Sequence, residues 1–502
     1  MLMQHMRSCV QVIRWSHLSH LEHGFHLGFG VVHIRSLHHH FPRFNKMSCS
    51  GALSEDYLQK LYKEFYNDPR NIAAQNVCTK VNPSEACISR QVVQNSNHVF
   101  TYKIDPEGKP ITEQKSSGRC WLFAFLNVVR SPFMKKYSLE EFEFSQSYLF
   151  FWDKIERCNY FLQNVVETAK RGEEVGGRLV SFLLNNDLLI DGGQWHMIVN
   201  IVKKYGVVPK SCFPESTTSE ASARLNGMLK TKLREFAKVL RTLMENKASD
   251  KEVQEKIREQ MAIIYKLVGI CLGIPSETIT WDYYTTSKVF NSTGPITPLE
   301  FYEKYVKPCF DVDEKVCLVT DPRPSNPFEK LYTLDCLGNV WGGGRVLYNN
   351  QTPELLIKLC VDSIKNNEPV WFGCEVSKRY ASKQGLNDLK AHNYEALLGT
   401  DLQITLSKAD RLLYGDSMMT HAMVFTGASV DKEEKPTKFR IENSWGKDYG
   451  EKGYQLCTID WFKEFVFEVV VDKKFVPENV LEVFKQEPIV LPAWDPMGTL
   501  AQ

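Results

Sequence analysis

Gln114-Lys-Ser-Ser-Gly-Arg-Cys120-Trp121, continuing Leu-Phe-Ala-Phe-Leu-Asn-Val-Val129, is the stretch from which the rest of the chain can be read. From Cys120 onward nearly every position is apolar, so no polar face is left for solvent, and the segment reads as a buried central helix. Gly118 sits in the loop just before it and puts Cys120 in the first turn. There the helix dipole and the free N–H groups favour a thiolate. The thiolate is the reactive form of cysteine, so Cys120 is the candidate nucleophile.

A nucleophilic cysteine needs a base. Nine of the 13 histidines fall within the first 46 residues; His98, His196, His392 and His421 are the others. His421 opens a predicted strand, His421-Ala-Met-Val-Phe-Thr, and Asn443-Ser-Trp-Gly446 follows 22 residues later. A strand pair can set His421 beside Asn443, whose amide would orient the imidazole, and Trp445 can cover that bond from water. His98 and His392 lie in polar loop sequence and read as surface residues, whereas His196, after Gly192-Gly193-Gln-Trp, could line a cleft.

Around these residues the pattern is that of an α+β chain, with helices early and strands late. Leu58, Leu61 and Phe65 mark a short amphipathic helix, and Ser138 with Glu141 reads as a capping box opening another. Leu225, Leu229, Leu233, Phe236, Leu240 and Leu243, then Val253, Ile257, Met261, Ile264 and Val268, step by threes and fours. Two long helices joined at Asn246–Asp250 follow, an αα-hairpin. Thr297-Pro298-Leu299-Glu300 starts a further helix. From about residue 368 the texture turns to short β-type runs. Pro488, Pro492 and Pro496 punctuate the tail, which is expected to be an extended arm without regular structure.

The composition narrows the function classes. Of 502 residues, 43% are hydrophobic, enough for a sizeable core. The net charge is +1, and without the His-rich first 46 residues 56 basic stand against 59 acidic side chains. That balance gives no global field for nucleic acid or an anionic membrane. No apolar run reaches the length of a membrane span. The first 46 residues are read as an extension upstream of a second start at Met47; a basic, acid-poor mitochondrial presequence is the other reading. The 14 cysteines are scattered, without CxxC pairs or zinc spacing, and read as reduced thiols of an intracellular protein. His38-His39-His40 lacks an acidic or Cys partner, and Gly342-Gly343-Gly344 lacks a phosphate-loop continuation. No metal or cofactor is expected.

In this order and local spacing, Gln114, Cys120, Trp121, Gly192-Gly193, His421, Asn443-Ser-Trp-Gly446 and Gly450-x-x-Gly453-Tyr454 resemble the papain-like cysteine peptidases. Gly108-Lys-Pro-Ile-Thr, Glu143-Phe-Ser-Gln-Ser-Tyr-Leu-Phe-Phe-Trp-Asp, Asp191-Gly-Gly-Gln-Trp and Leu491-Pro-Ala-Trp-Asp-Pro-Met-Gly extend the likeness from Met47 to Gln502, within an intracellular branch of the family. The resemblance implies a papain-like fold. A helical lobe (47–210) carries the nucleophile, a mostly helical insertion (211–367) makes oligomer contacts, a β lobe (368–475) holds His421 and Asn443, and an arm (476–502) lies in the active-site cleft. It implies a Cys120–His421 pair oriented by Asn443, an oxyanion hole at Gln114, support from Trp121 and Trp445, and a cleft at Gly192 and Gly193.

It further implies a cytoplasmic homohexameric aminopeptidase acting on small peptides with a free amino group, gated by the terminal residues Ala501 and Gln502. Two departures from secreted papains stand out: Ser117 replaces a disulfide-bonded cysteine, and Gly118-Arg119 stands where Gly-Ser usually precedes the nucleophile. The gap from Cys120 to His421 is also long, at 301 positions, and the insertion fills it. An inactive scaffold and a nucleic-acid-binding homologue are the rival readings.

Overall fold

The computed structural model describes residues 51–185 and 188–499. The expectations for residues 1–46, His38-His39-His40 among them, and for Ala501 and Gln502 lie outside the described residues. The chain divides into two compact units, up to Asp68 and from Pro69 onward. In the first, the predicted amphipathic helix runs Glu55–Asn67, and Ser54 Oγ accepts the Tyr57 N–H at 3.2 Å as its N-cap.

The second unit is built around the helix Cys120–Tyr137. Every side chain from Cys120 to Ser131 is buried, as its all-round apolar sequence requires. It ends at Ser138, which adopts the left-handed conformation (φ 50°). This corrects the expected Ser138–Glu141 capping box: a residue that closes one helix in the left-handed region cannot cap the next. The following helix is Gln146–Lys170, and its cap is Ser145, whose Oγ accepts the Tyr148 N–H at 3.0 Å.

The two predicted long helices are Ala223–Glu245 and Asp250–Leu272, with a reciprocal capping box between Ser249 and Glu252 opening the second. Leu225, Leu229, Leu233, Phe236 and Leu240 on one, and Val253, Ile257, Ile264 and Val268 on the other, are buried against each other and against Gln146–Lys170. The hairpin is therefore packed onto the helical lobe along its whole apolar stripe. Thr297 and Glu300 cap the short helix Pro298–Phe301 as their spacing predicts.

The strands form, among the described residues, a 12-stranded sheet and a separate two-stranded hairpin. Strand texture begins well before residue 368. Lys315–Val319, Lys330–Leu334 and Tyr348–Asn350 join the same sheet as His421–Val430, so the stretch 211–367 contributes strands to it as well as helices. These strands escape a period-2 reading because they are buried on both faces. Along the sheet, Cys317, Val319, Trp371, Ala422, Val424 and Val470 enter the core shared with the central helix. Their neighbours Val316, Leu318, Phe372, Met423, Phe425, Val469 and Val471 enter a second core beneath the helices Pro353–Lys365 and Ile459–Phe465. Most pairings are antiparallel, while Lys315–Val319 with Tyr348–Asn350, and Tyr454–Thr458 with Leu386–Asn387, run parallel.

The tail also departs from expectation. Ile489–Leu491 pairs in parallel with Lys330–Leu334, and Pro496–Gly498 forms a 3₁₀ turn. Pro488 and Pro492 bracket the three-residue strand, placing it at an edge, where a proline removes no ladder bond.

Candidate active site

The central helix and the strand His421–Val430 meet where their first residues lie. The Cys120 side chain is buried, and its sulfur is approached by the N–H groups of Cys120, Trp121 and Ala422, the last being the residue after His421. Burial dominates all the same and pushes the Cys120 thiol up to about 12, with those three N–H groups working in the opposite direction and the Asp191 carboxylate adding to the rise. Burial likewise lowers the His421 imidazole to about 4, against the raising effect of its bond to Asn443. Burial disfavours a charge on either group alone. A proton passing from sulfur to ring would leave such a pair neutral overall, the arrangement that burial penalises least.

His421 and Asn443 are brought together by register. Val424 pairs with Glu442 across the antiparallel strands His421–Val430 and Pro436–Glu442, and Asn443 is the next residue. Glu442 is in turn fixed to the central helix by a fully buried ion pair with Arg130. His421 Nε2 lies 2.8 Å from Asn443 Oδ1, and the same oxygen accepts the Ser444 N–H at 2.7 Å. A backbone N–H can only donate, so the amide oxygen must face both groups, and Nε2 is the nitrogen that carries hydrogen. The neutral ring then presents Nδ1 as its bare acceptor. Trp445 lies over the ring, with centroids 4.7 Å apart and planes tilted by 33°.

Gln114 is held from both sides. Its Oε1 accepts the Ser444 hydroxyl at 2.7 Å, its Nε2 donates to the Ser117 carbonyl at 2.7 Å, and its backbone N–H donates to the Ser444 carbonyl at 2.8 Å. One Nε2 hydrogen is left over. Ser117 Oγ donates to the Gln114 carbonyl and accepts from Arg119 Nε at 2.8 Å, and the buried Arg119 pairs with Glu215 at 2.8 Å. The position of the lost disulfide cysteine is thus occupied by a polar brace.

Trp121 Nε1 donates to the Asp191 carbonyl at 2.6 Å, and a Cβ on Gly193 would come within 2.6 Å of the Trp121 ring, so only glycine allows this approach. Asp191 collects the Gly118 N–H at 3.2 Å, Asn226 Nδ2 at 2.7 Å, the Ser222 hydroxyl and the Lys154 ammonium at 2.7 Å. Burial alone would raise its carboxyl. Lys154, with the Ser222 and Asn226 bonds, holds it well below the usual range. Next to the glycines, Gln194 Nε2 donates to the Thr499 carbonyl at 2.9 Å, so the C-terminal arm reaches the loop packed on Trp121.

Ser444, Arg119, Asp191 and Gln194 stand within the quoted sequence motifs, but no site role is read for them there. Asp191, a charge directly before a buried Gly-Gly pair, offered the clearest signal. Of the remaining histidines, His392 and His98 depart from the surface placement expected of them, while His196 lines a cavity. His392 is buried, not superficial, with its ring stacked on Tyr394 at 5.5 Å and lowered to about 4 by burial and by Arg379. His98 is half-buried. His196 lines a cavity of about 460 Å³ with Trp341 and Gly342–Gly344, apart from the Cys120 cluster. That triple glycine is not a loose turn, since Asn200 bonds both the N–H and the carbonyl of Gly344. Among the described residues no cluster of His, Cys, Asp or Glu could hold a metal ion, no helix is long and apolar enough to cross a membrane, and all twelve cysteines are free.

The Peptidase C1-like family pattern matches residues 52–498. Bleomycin hydrolase of Homo sapiens is 53% identical over 458 residues, covering 91% of this chain and 100% of that one. "Cysteine proteinase 1, mitochondrial" of Saccharomyces cerevisiae is 40% identical over 474 residues, covering 92% and 95%. The crystal structure of PepW from Lactobacillus rhamnosis superposes with a TM-score of 0.86 at 36% identity, covering 90% of this chain and 100% of that one. With the papain-like arrangement of central helix and sheet already described, these likenesses show that the chain belongs to the Peptidase C1-like family and is a cysteine-type peptidase.

Proposed function

We propose that the chain is an aminopeptidase in which Cys120 is the nucleophile, His421 the proton carrier, Asn443 the residue that orients it and Gln114 an oxyanion donor. The observation that carries this reading is the shared Asn443 Oδ1, bonded to His421 Nε2 at 2.8 Å and to the Ser444 N–H at 2.7 Å. It assigns the bare lone pair to Nδ1, the nitrogen left to take the thiol proton.

As substrate enters, the Cys120 proton passes to His421 Nδ1, and the sulfur attacks the amide carbon. The carbonyl oxygen becomes an oxyanion, which the free Gln114 Nε2 hydrogen and the Cys120 backbone N–H stabilise. Donors of this kind are worth about 10²–10³ in rate. His421 returns the proton to the leaving amine, leaving a thioester. It then takes a proton from water as the water oxygen bonds to the thioester carbon; the C–S bond breaks, the acid leaves, and His421 returns that proton to the sulfur.

The arm supplies the selectivity. Thr499 is bonded to the Gln194 side chain, next to Gly193, and the family resemblance supports a gate at the arm's end, Ala501 and Gln502, that offers a carboxylate. A carboxylate in a partly dry cleft prefers a cation, so it selects a substrate's free ammonium and blocks longer chains. Small peptides with a free amino terminus are the substrate class, and the name of the human relative extends the proposal to the β-aminoalanine amide of bleomycin. Free thiols throughout the described residues suit a cytoplasmic setting, and the family resemblance supports a homohexamer.

The test is turnover of an amino-terminal amide by purified Cys120→Ala, together with labelling by an epoxide thiol reagent. Activity should vanish and labelling should be confined to the unaltered protein. Full turnover by Cys120→Ala would overturn the proposal.

A further inference from the structure

The loop from Gln114 to Cys120 is closed on itself and held from outside by residues about a hundred positions later. Lys115 adopts the left-handed conformation (φ 53°), which a residue with a side chain keeps only where its surroundings hold it there. Those holds are on both sides of it. The Ser116 N–H donates to the Glu220 carbonyl at 2.9 Å, and the Gly118 N–H donates to Asp191 at 3.2 Å. Within the loop, Ser117 Oγ donates to the Gln114 carbonyl at 2.6 Å while the Ser117 carbonyl accepts Gln114 Nε2 at 2.7 Å.

Arg119 ties this ring to the body of the protein. Its side chain is fully buried, between the rings of Phe123 at 5.1 Å and Phe150 at 5.4 Å. Nε donates to Ser117 Oγ at 2.8 Å, and Nη1 donates to both oxygens of the Glu215 carboxylate, at 3.0 and 2.8 Å. The Ser219 hydroxyl in turn donates to Glu215, and Ser219 belongs to the helical turn Thr217–Glu220 that also receives the Ser116 N–H. A guanidinium is planar and rigid, so acceptors on separate edges fix its plane as well as its place. An unbroken chain of bonds therefore runs from Glu215 through Arg119 and Ser117 to Gln114.

We propose that Arg119, anchored on Glu215, is a positioning residue for catalysis that acts through Ser117 to hold Gln114 where the oxyanion develops. The inference rests on the reading of Gln114 as an oxyanion donor. Arg119 precedes the nucleophile but points away from it, into the helical lobe, where its bonds go to the loop and not to the Cys120 sulfur. Without its fork, Ser117 keeps its own bonds to Gln114, but the pair loses its tie to a fixed point and the strained loop gains room to relax.

The experiment uses the full chain and compares Arg119→Lys, Gln114→Ala and the two combined. Lysine keeps the positive charge and can still pair with Glu215, but its single nitrogen cannot reproduce the fork to Ser117 Oγ. Ser117→Ala, which cuts the same link and leaves the Arg119–Glu215 pair in place, serves if Arg119→Lys fails to fold. On a small amino-terminal amide, Arg119→Lys should lower kcat about tenfold with KM little changed, short of the roughly 10²–10³ lost with the donor in Gln114→Ala. The combined variant should be no slower than Gln114→Ala alone, because both changes act at one point. Alkylation of Cys120 by iodoacetamide forms no oxyanion, so its rate, followed by mass spectrometry, should be the same in Arg119→Lys as in the unaltered protein. Full kcat in folded Arg119→Lys, losses that multiply in the combined variant, or alkylation that slows in step with kcat would each overturn the proposal and leave Gln114 as donor. Full kcat in Gln114→Ala would remove the oxyanion reading and the proposal with it.

Discussion

Ser444 Oγ donates to Gln114 Oε1 at 2.7 Å, while the Ser444 N–H donates to Asn443 Oδ1 at 2.7 Å. One residue therefore aims two amides. Its hydroxyl holds the Gln114 amide with Nε2 on the Ser117 carbonyl, and its backbone fixes the face that Asn443 shows to His421.

Replacing Ser444 by alanine keeps the second of these bonds and removes the first. Gln114 would still be held by its Nε2 bond to the Ser117 carbonyl, but its orientation would no longer be pinned from both ends. The expected effect is a fall in kcat of about tenfold, smaller than the 10²–10³ lost with an oxyanion donor itself. KM should be little changed, because the contact matters where the oxyanion develops and not in the bound substrate. Steady-state kinetics of Ser444→Ala beside Gln114→Ala provides the check. Equal losses in the two variants would mean that Gln114 acts only through Ser444.

The pH profile follows from the two buried groups. Below about pH 4 the His421 ring is protonated on its own account and cannot take the thiol proton, so kcat/KM should fall with an acid limb near 4. The Cys120 thiol, held near 12, adds no limb at neutral pH. The alkaline side belongs to the substrate, whose α-amino group loses its charge at roughly pH 7.7–8.0. In Asn443→Ala the bond that raises the ring is gone, so the acid limb should move to lower pH while the plateau rate drops. Measurement of kcat/KM against pH on a small amino-terminal amide tests both statements. A limb at 6–7 in the unaltered protein would contradict the burial of His421.

How much of this was legible beforehand depended on whether the signal was local. Cys120 could be placed because a Gly-containing loop followed by an uninterrupted apolar run allows few structures besides a buried helix beginning there. His421 and Asn443 could be paired because two strand-like runs separated by a short polar turn, Asp431–Lys435, force antiparallel register. The failures are non-local. Ser138-x-x-Glu141 and Ser145 compete within eight residues for one helix start, and the left-handed turn at Ser138 that decides between them has its carbonyl tied to the distant Thr286 N–H at 2.7 Å. His392 sits in polar sequence but is buried because Arg379 gathers the carbonyls of Leu389, His392 and Leu402 around itself. Ile489–Leu491 becomes a strand only because Lys330–Leu334, more than 150 residues earlier, offers an edge.

Glu468 provides the last prediction. It lies in the middle of the strand Val466–Asp472, opposite Val319 on one side and Gly373 on the other, and is 2% exposed. Burial raises its carboxyl to about 7, offset in part by the Cys317 thiol, which donates to Oε1 at 2.9 Å. The folded value is above the unfolded one for an acid. Below about pH 4.5 both states hold the proton and Glu468 costs nothing. Between 4.5 and 7 the unfolded chain releases its proton and the folded chain keeps it, so stability falls as pH rises. Above 7 the full penalty persists, roughly 3 kcal/mol at most. Glu468→Gln keeps the shape and an acceptor for Cys317, and the Tyr348 hydroxyl, without a partner among the described residues, lines the same small cavity and can meet the new amide. The variant should therefore unfold at higher temperature than the unaltered protein at pH 7–8, with the difference shrinking to nothing near pH 4.5. Thermal unfolding followed across that range decides it, and a gain that stays constant with pH would show that something other than the buried charge had been relieved.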